Sequence, residues 1–99
     1  MIRLTCSRQE DRWELRVSGH AGTAPYGKDL VCAAATALVC ALAKYVSEQE
    51  PEEAPTLRLE PGDAEITAKG KQLAPAFETV CAGLNLLAEA YPENVRWER

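Results

Sequence analysis

Apolar and polar residues alternate from the first positions of the chain. Ile2, Leu4 and Cys6 are separated by Arg3, Thr5 and Ser7, and after Gln9-Glu10-Asp11 the alternation resumes with Trp13, Leu15 and Val17 among Arg12, Glu14 and Arg16. A period of two puts each apolar set on one face of a strand, so this stretch predicts a β-hairpin with one buried side. From Gly19 to Asp29 the pattern dissolves into Gly-His-Ala-Gly-Thr-Ala-Pro-Tyr-Gly-Lys-Asp, a connection longer than the usual four to six or so residues and of a kind that often carries function. Asp29 suits an N-cap, and Leu30 to about Ser47, rich in alanine and leucine, predicts a helix. Its first three turns are apolar nearly all round, which calls for cover by the sheet on one side and by a further surface, such as a partner subunit, on another.

The acidic stretch Glu48 to Pro55, with two prolines and no periodicity, reads as a solvated linker. Leu57-Arg58-Leu59-Glu60, Pro61-Gly62-Asp63 and Ala64-Glu65-Ile66-Thr67-Ala68 predict a second hairpin, with Pro and Gly where a type II turn needs them. A second helix follows over about Ala74 to Ala90, placing Phe77, Val80, Cys81, Leu84, Leu87, Ala88 and Tyr91 on one face until Pro92 stops it. Val95 and Trp97 then alternate with polar neighbours in a short final strand. The order β-β-α-β-β-α-β predicts an α+β, two-layer fold, with two helices packed on one face of a five-stranded, largely antiparallel sheet.

The 99 residues, 46% hydrophobic, fit one domain over 1–99. A net charge of -4 supplies no general attraction to nucleic acid or an anionic membrane, so neither is an expected partner. The longest apolar run, Leu30 to Ala43, falls short of the roughly 20 residues that span a bilayer and contains Thr36, which favours a buried helix. The N-terminus, with charges at alternate positions, lacks the apolar core of a secretory signal. Cys6, Cys32, Cys40 and Cys81 form no Cys-x-x-Cys pair and His20 is the sole histidine, so a zinc cage and a thioredoxin-like motif both lack their residues. No metal or cofactor is expected, and the thiols read as free in a reducing compartment. Cys6, Cys40 and Cys81 fall on predicted buried faces.

The chemistry concentrates between Gly19 and Ala34, where a glycine-rich loop holds the only histidine and the first turn of the following helix holds a cysteine. Those are the parts of a thiol nucleophile and its base, since helix N-terminal amides and a nearby imidazolium both favour a thiolate. With Asp29 as N-cap, Cys32 is the third helical residue. Asp29 can alternatively orient the imidazole, and Thr36, one turn beyond Cys32, can bond either the sulfur or the carbonyl of residue 32. Gly19, Gly22 and Gly27 let the loop approach a substrate, with Tyr26 and Lys28 as loop residues able to touch it. Against this stand a core cysteine in Val31-Cys32-Ala33-Ala34 and a turn histidine bonded to backbone.

Gly19-His20-Ala21-Gly22 followed by Gly27-x-Asp29-Leu30-Val31-Cys32-Ala33-Ala34 resembles the signature of the ribosomal-processing cysteine protease Prp family, and the closing Tyr91-Pro92-Glu93-Asn94-Val95 is similar as well. The resemblance covers the whole chain, including the element order. It implies a cytoplasmic, homodimeric endopeptidase that removes a short N-terminal extension from a large-subunit ribosomal protein, number twenty-seven, during ribosome assembly. It further implies Cys32 as nucleophile, His20 as general base and Asp29 as a supporting residue. The family commonly has serine where this chain has Thr36, whose added methyl stiffens χ1 and weakens a catalytic role there. In the absence of substrate, His20 and Cys32 are expected to lie short of tight contact. Two other readings compete: a non-catalytic assembly or peptide-binding module using the glycine loop and helix N-terminus, and a redox protein, for which Cys40 is too distant a resolving thiol.

Overall fold

A computed structural model describes residues 1–22, 29–49, 51 and 53–98. Strands β1 (Ile2–Gln9) and β2 (Arg12–Ser18) form the first hairpin, closed by Glu10-Asp11 with Gln9 opposite Arg12. Glu10 sits at φ 56, the positive region that matches a tight turn to the right-handed twist of its strands. Helix α1 (Leu30–Glu48) follows, then β3 (Thr56–Glu60), β4 (Asp63–Lys69), helix α2 (Ala74–Ala90) and β5 (Val95–Trp97). The sheet order is β3-β4-β2-β1-β5. Every pairing is antiparallel except β1 with β5, which is parallel. This is the expected α+β arrangement, with boundaries displaced by one residue at several ends. A 3-10 turn at Lys71–Leu73, which no periodicity announces, carries the chain into α2.

One face of the sheet is apolar because strand periodicity puts Ile2 and Leu4, Trp13 and Leu15, Ile66 and Ala68, and Val95 on the same side, all buried. Against it α1 lays Val31, Ala35, Val39, Leu42, Ala43 and Val46, and α2 lays Phe77, Val80 and Leu84. The Phe77 ring stacks on Trp13 with centroids 5.5 Å apart, anchoring α2 on the centre of the sheet.

Two expectations are corrected. Tyr91 does not join the buried face of α2: it is the C-cap, 44% exposed, its N–H donating to the Leu87 carbonyl. Cys40 is exposed, because the stripe of α1 that meets the sheet passes through Val39 and Leu42 and turns position 40 outward. As expected, α1 runs beyond its apolar stretch, to Glu48; over that length it is apolar enough to cross a membrane by length and composition, while its buried stripe packs on the core. Leu30 is 81% exposed at its start, so among the described residues the second side of the helix is uncovered. Among the described residues of the stretch after α1 none is buried, as expected of a linker, yet Glu53 accepts from Arg12 Nη2 at 2.6 Å. That hydrogen bond holds the Glu53 carboxyl below the usual carboxylate range.

Cys6 on β1 and Cys81 on α2 are half-buried, with their sulfurs 3.2 Å apart. The Cys81 thiol donates to Cys6, which lowers the pKa of Cys6 and, with burial, raises that of Cys81. Iodoacetamide under native conditions is therefore expected to modify exposed Cys40 before Cys6 and to leave Cys81 last of these three, as read by peptide mass mapping; labelling of Cys81 ahead of Cys6 contradicts this hydrogen-bond direction. Phe77→Ala is expected to lower unfolding free energy by about 3–5 kcal/mol. Urea titration reads this as a reduced midpoint at unchanged slope.

Candidate active site

The β2–β4 ladder ends with Ser18 opposite Asp63. One residue further, Gly19 N–H donates to the Gly62 carbonyl at 2.8 Å, so the pairing continues into the β3–β4 turn. Gly19 has φ +89, and a Cβ there would lie 2.1 Å from the Met1 carbonyl oxygen. Only glycine allows these two backbones to cross so closely. The Met1 amino group donates to the His20 carbonyl, and buried Ala21 accepts from Asn94 Nδ2 at 2.9 Å through its own carbonyl. The main chain around His20 is thus fastened to the start of β1, to the β3–β4 turn and to the α2–β5 connection, while the side chain is exposed.

The other half of the site is the first turn of α1. Asp29 is its N-cap, with Oδ1 accepting from Cys32 N–H at 3.0 Å and its carbonyl accepting from Ala33 N–H at 3.0 Å. Cys32 is the third helical residue, half-buried on the flank beside buried Val31. There the unpaired amides and the dipole of the first turn favour negative charge. Thr36 Oγ1 donates to the Cys32 carbonyl at 2.8 Å, so its hydroxyl ties back to the helix and not to the sulfur. The His20 Nδ1 atom stands 3.8 Å from Cys32 Sγ, facing it at a distance longer than a strong hydrogen bond. Such contacts commonly tighten once substrate is bound.

Gly22 is exposed, and beyond its chain neighbours no atom of the described residues lies within 4 Å of where a Cβ would be. Tyr26, Gly27 and Lys28, singled out from the sequence, lie outside the described residues. Among the described residues no group of three or more His, Cys, Asp or Glu is placed to hold a metal ion.

A groove opens from Cys32 along α1, lined by apolar Val17, Ala35, Val39, Cys40, Leu59 and Ala64 and by acidic Glu60 and Asp63. Asp63 is hydrogen-bonded to the Arg58 guanidinium, which holds its carboxyl below the usual range and raises the pKa of Arg58. Sequence reasoning assigned Leu59 to Asp63 only to a hairpin and missed their place in the site. The signal that brings them in is the pairing of β4 with β2, which sets the β3–β4 turn beside the residue that follows β2. An apolar trough beginning at a half-buried thiol suits an extended peptide whose carbonyl is presented to sulfur.

A helix-terminal thiol faced by an imidazole at the head of such a groove has the parts of a cysteine protease. The family model described as cysteine protease Prp matches residues 1–96. The chain belongs to the cysteine protease Prp family. It is 33% identical to the ribosomal processing cysteine protease Prp of Mycoplasma pneumoniae over 103 aligned residues, covering 99% of this chain and 94% of the relative. Its fold is similar to that of the essential ribosomal processing protease Prp from S. aureus bearing a covalently linked product peptide, with TM-score 0.85, 23% identity and coverage of 99% of this chain and 98% of the other. The same S. aureus protease with a substrate peptide gives TM-score 0.77 at 22% identity, with coverage of 99% and 98%.

Loss of the cap should register locally. Asp29→Ala is expected to lower stability by about 1 kcal/mol, while Asp29→Asn, which keeps an acceptor for the Cys32 amide, stays close to the parent. Thermal unfolding of the two variants checks this; equal losses contradict it.

Proposed function

We propose that the chain is an endopeptidase that removes a short N-terminal extension from large-subunit ribosomal protein number twenty-seven during ribosome assembly, using Cys32 and His20. The observation that carries the reading is the 3.8 Å approach of His20 Nδ1 to Cys32 Sγ at the mouth of the apolar groove. The ribosomal processing role of the Mycoplasma relative and the peptides held by the S. aureus protease support the substrate class.

In this reading a peptide lies along α1 with its scissile carbonyl over Cys32. The amides of the first helical turn stabilise the negative charge that builds on sulfur as His20 takes the thiol proton, and the sulfur then attacks the carbonyl carbon. The imidazolium then gives its proton to the leaving amine, the C–N bond breaks, and an acyl-enzyme remains. Water, deprotonated by His20, releases the acid and restores the thiol. Asp29 supports this by fixing the amide of the nucleophile's own residue. Thr36 supports it by holding the carbonyl of the same residue. Gly19, Gly22, Tyr26 and Gly27 form the substrate loop of this proposal. The protein works in the cytoplasm as a homodimer, for which the exposed start of α1 at Leu30 provides apolar surface; no cofactor, nucleic acid or membrane takes part.

The test is incubation with the ribosomal protein carrying its N-terminal extension, followed by product mass. Wild type is expected to cleave at one bond, Cys32→Ala not at all, and His20→Ala about 10²–10⁴-fold more slowly. Cleavage by Cys32→Ala at the wild-type rate removes Cys32 as nucleophile. A folded, extended substrate that binds and is never cut favours a peptide-binding module.

A further inference from the structure

The geometry points to Gly62, in the β3–β4 turn, as a positioning residue that seats the His20 imidazole opposite Cys32. The inference rests on the Cys32–His20 reading of the site and deepens it. Pro61-Gly62 occupies the centre of a two-residue turn between Glu60 and Asp63, and Gly62 has φ +71. A type II turn already requires glycine at that position, so turn chemistry alone accounts for the residue in the sequence. The tertiary structure adds a second and independent demand. A Cβ on Gly62 would lie 2.6 Å from His20 Nε2, 3.1 Å from Cε1 and 3.3 Å from Cδ2. The outer edge of the imidazole therefore rests on the bare Cα of Gly62, while Nδ1 faces Sγ at 3.8 Å.

The turn cannot retreat to make room for a side chain. Its Gly62 carbonyl is the acceptor for Gly19 N–H at 2.8 Å, and Asp63 is paired with Ser18. Seat and histidine are thus clamped to each other through the residue immediately before His20. An added Cβ would be relieved by the ring, the freer partner. The 3.8 Å gap to sulfur closes only slightly before ring and thiol collide, so relief means rotation of the imidazole away from Cys32. The bare Cα thereby limits the directions open to Nδ1.

Asparagine separates the two demands, because it tolerates positive φ and yet carries a Cβ. Gly62→Asn is expected to remain folded by thermal unfolding and to lower kcat roughly 10- to 100-fold with KM within about twofold. Its Cys32 alkylation rate, followed by peptide mapping across pH, should move to that of His20→Ala, while alkylation of exposed Cys40 stays unchanged as an internal reference. Gly62→Ala should show the same change in rate together with a loss of stability from the strained turn. Pro61→Ala, which alters the turn without placing an atom on the ring, should keep the wild-type alkylation profile. A folded Gly62→Asn with wild-type kcat and wild-type Cys32 alkylation overturns the seat while leaving the dyad in place, provided His20→Ala slows Cys32. If His20→Ala alkylates like wild type, the dyad reading itself fails and the seat falls with it.

Discussion

Burial of the α1 stripe against the sheet is the constraint from which the site follows. Val31, Ala35, Val39, Leu42, Ala43 and Val46 are the only residues of the helix fully withdrawn from solvent, and sinking them fixes the rotation of α1 about its axis. At about 100° per residue, fixing Val31 inward leaves Cys32 on the flank, half-buried, at the mouth of the groove. The same rotation turns Cys40 outward. One packing decision thus sets Cys32 beside the histidine and leaves Cys40, two turns on, exposed along the same groove.

The second half of the site is delivered by backbone hydrogen bonding. β2 carries His20 to its place because it is paired on both sides, with β1 and with β4. Beyond the last paired residues, Gly19 continues the contact by donating to Gly62. Attachments from β1 and from Asn94 then hold the main chain of residues 20 and 21. Two kinds of force divide the work: apolar burial places the Cys32 thiol, main-chain bonds place the histidine, and the two side chains come to 3.8 Å of each other. The exposed ion pairs contribute little to this placement, since solvent screens them; Arg58 with Asp63 serves mainly to keep charge paired at the rim of the groove.

The element order was readable in the residues because strand and helix periodicities differ and each segment was long enough to show one of them. Asp29 as N-cap and the back-bond of Thr36 were also local chemistry, involving residues three and four apart on one helix, and both stand in the structure. The 3-10 turn before α2 was not readable, because three residues show no period. The Cys6–Cys81 contact was not readable either: the residues are 75 positions apart, and no local pattern encodes which strand position a distant helix will cover.

By itself, then, the sequence determined the elements, the fold class and the short list of residues with chemistry to offer, because these depend on periodicity, capping and turn preferences acting within a few residues. The tertiary structure alone decided how closely His20 approaches Cys32, that the β3–β4 hairpin forms one wall of the groove, and that Gly62 lies against the imidazole. Those outcomes depend on strand order and register and on the rotation of a packed helix. They are settled by burial and pairing between segments far apart in the chain, where the pattern along any one segment carries no information about its neighbours.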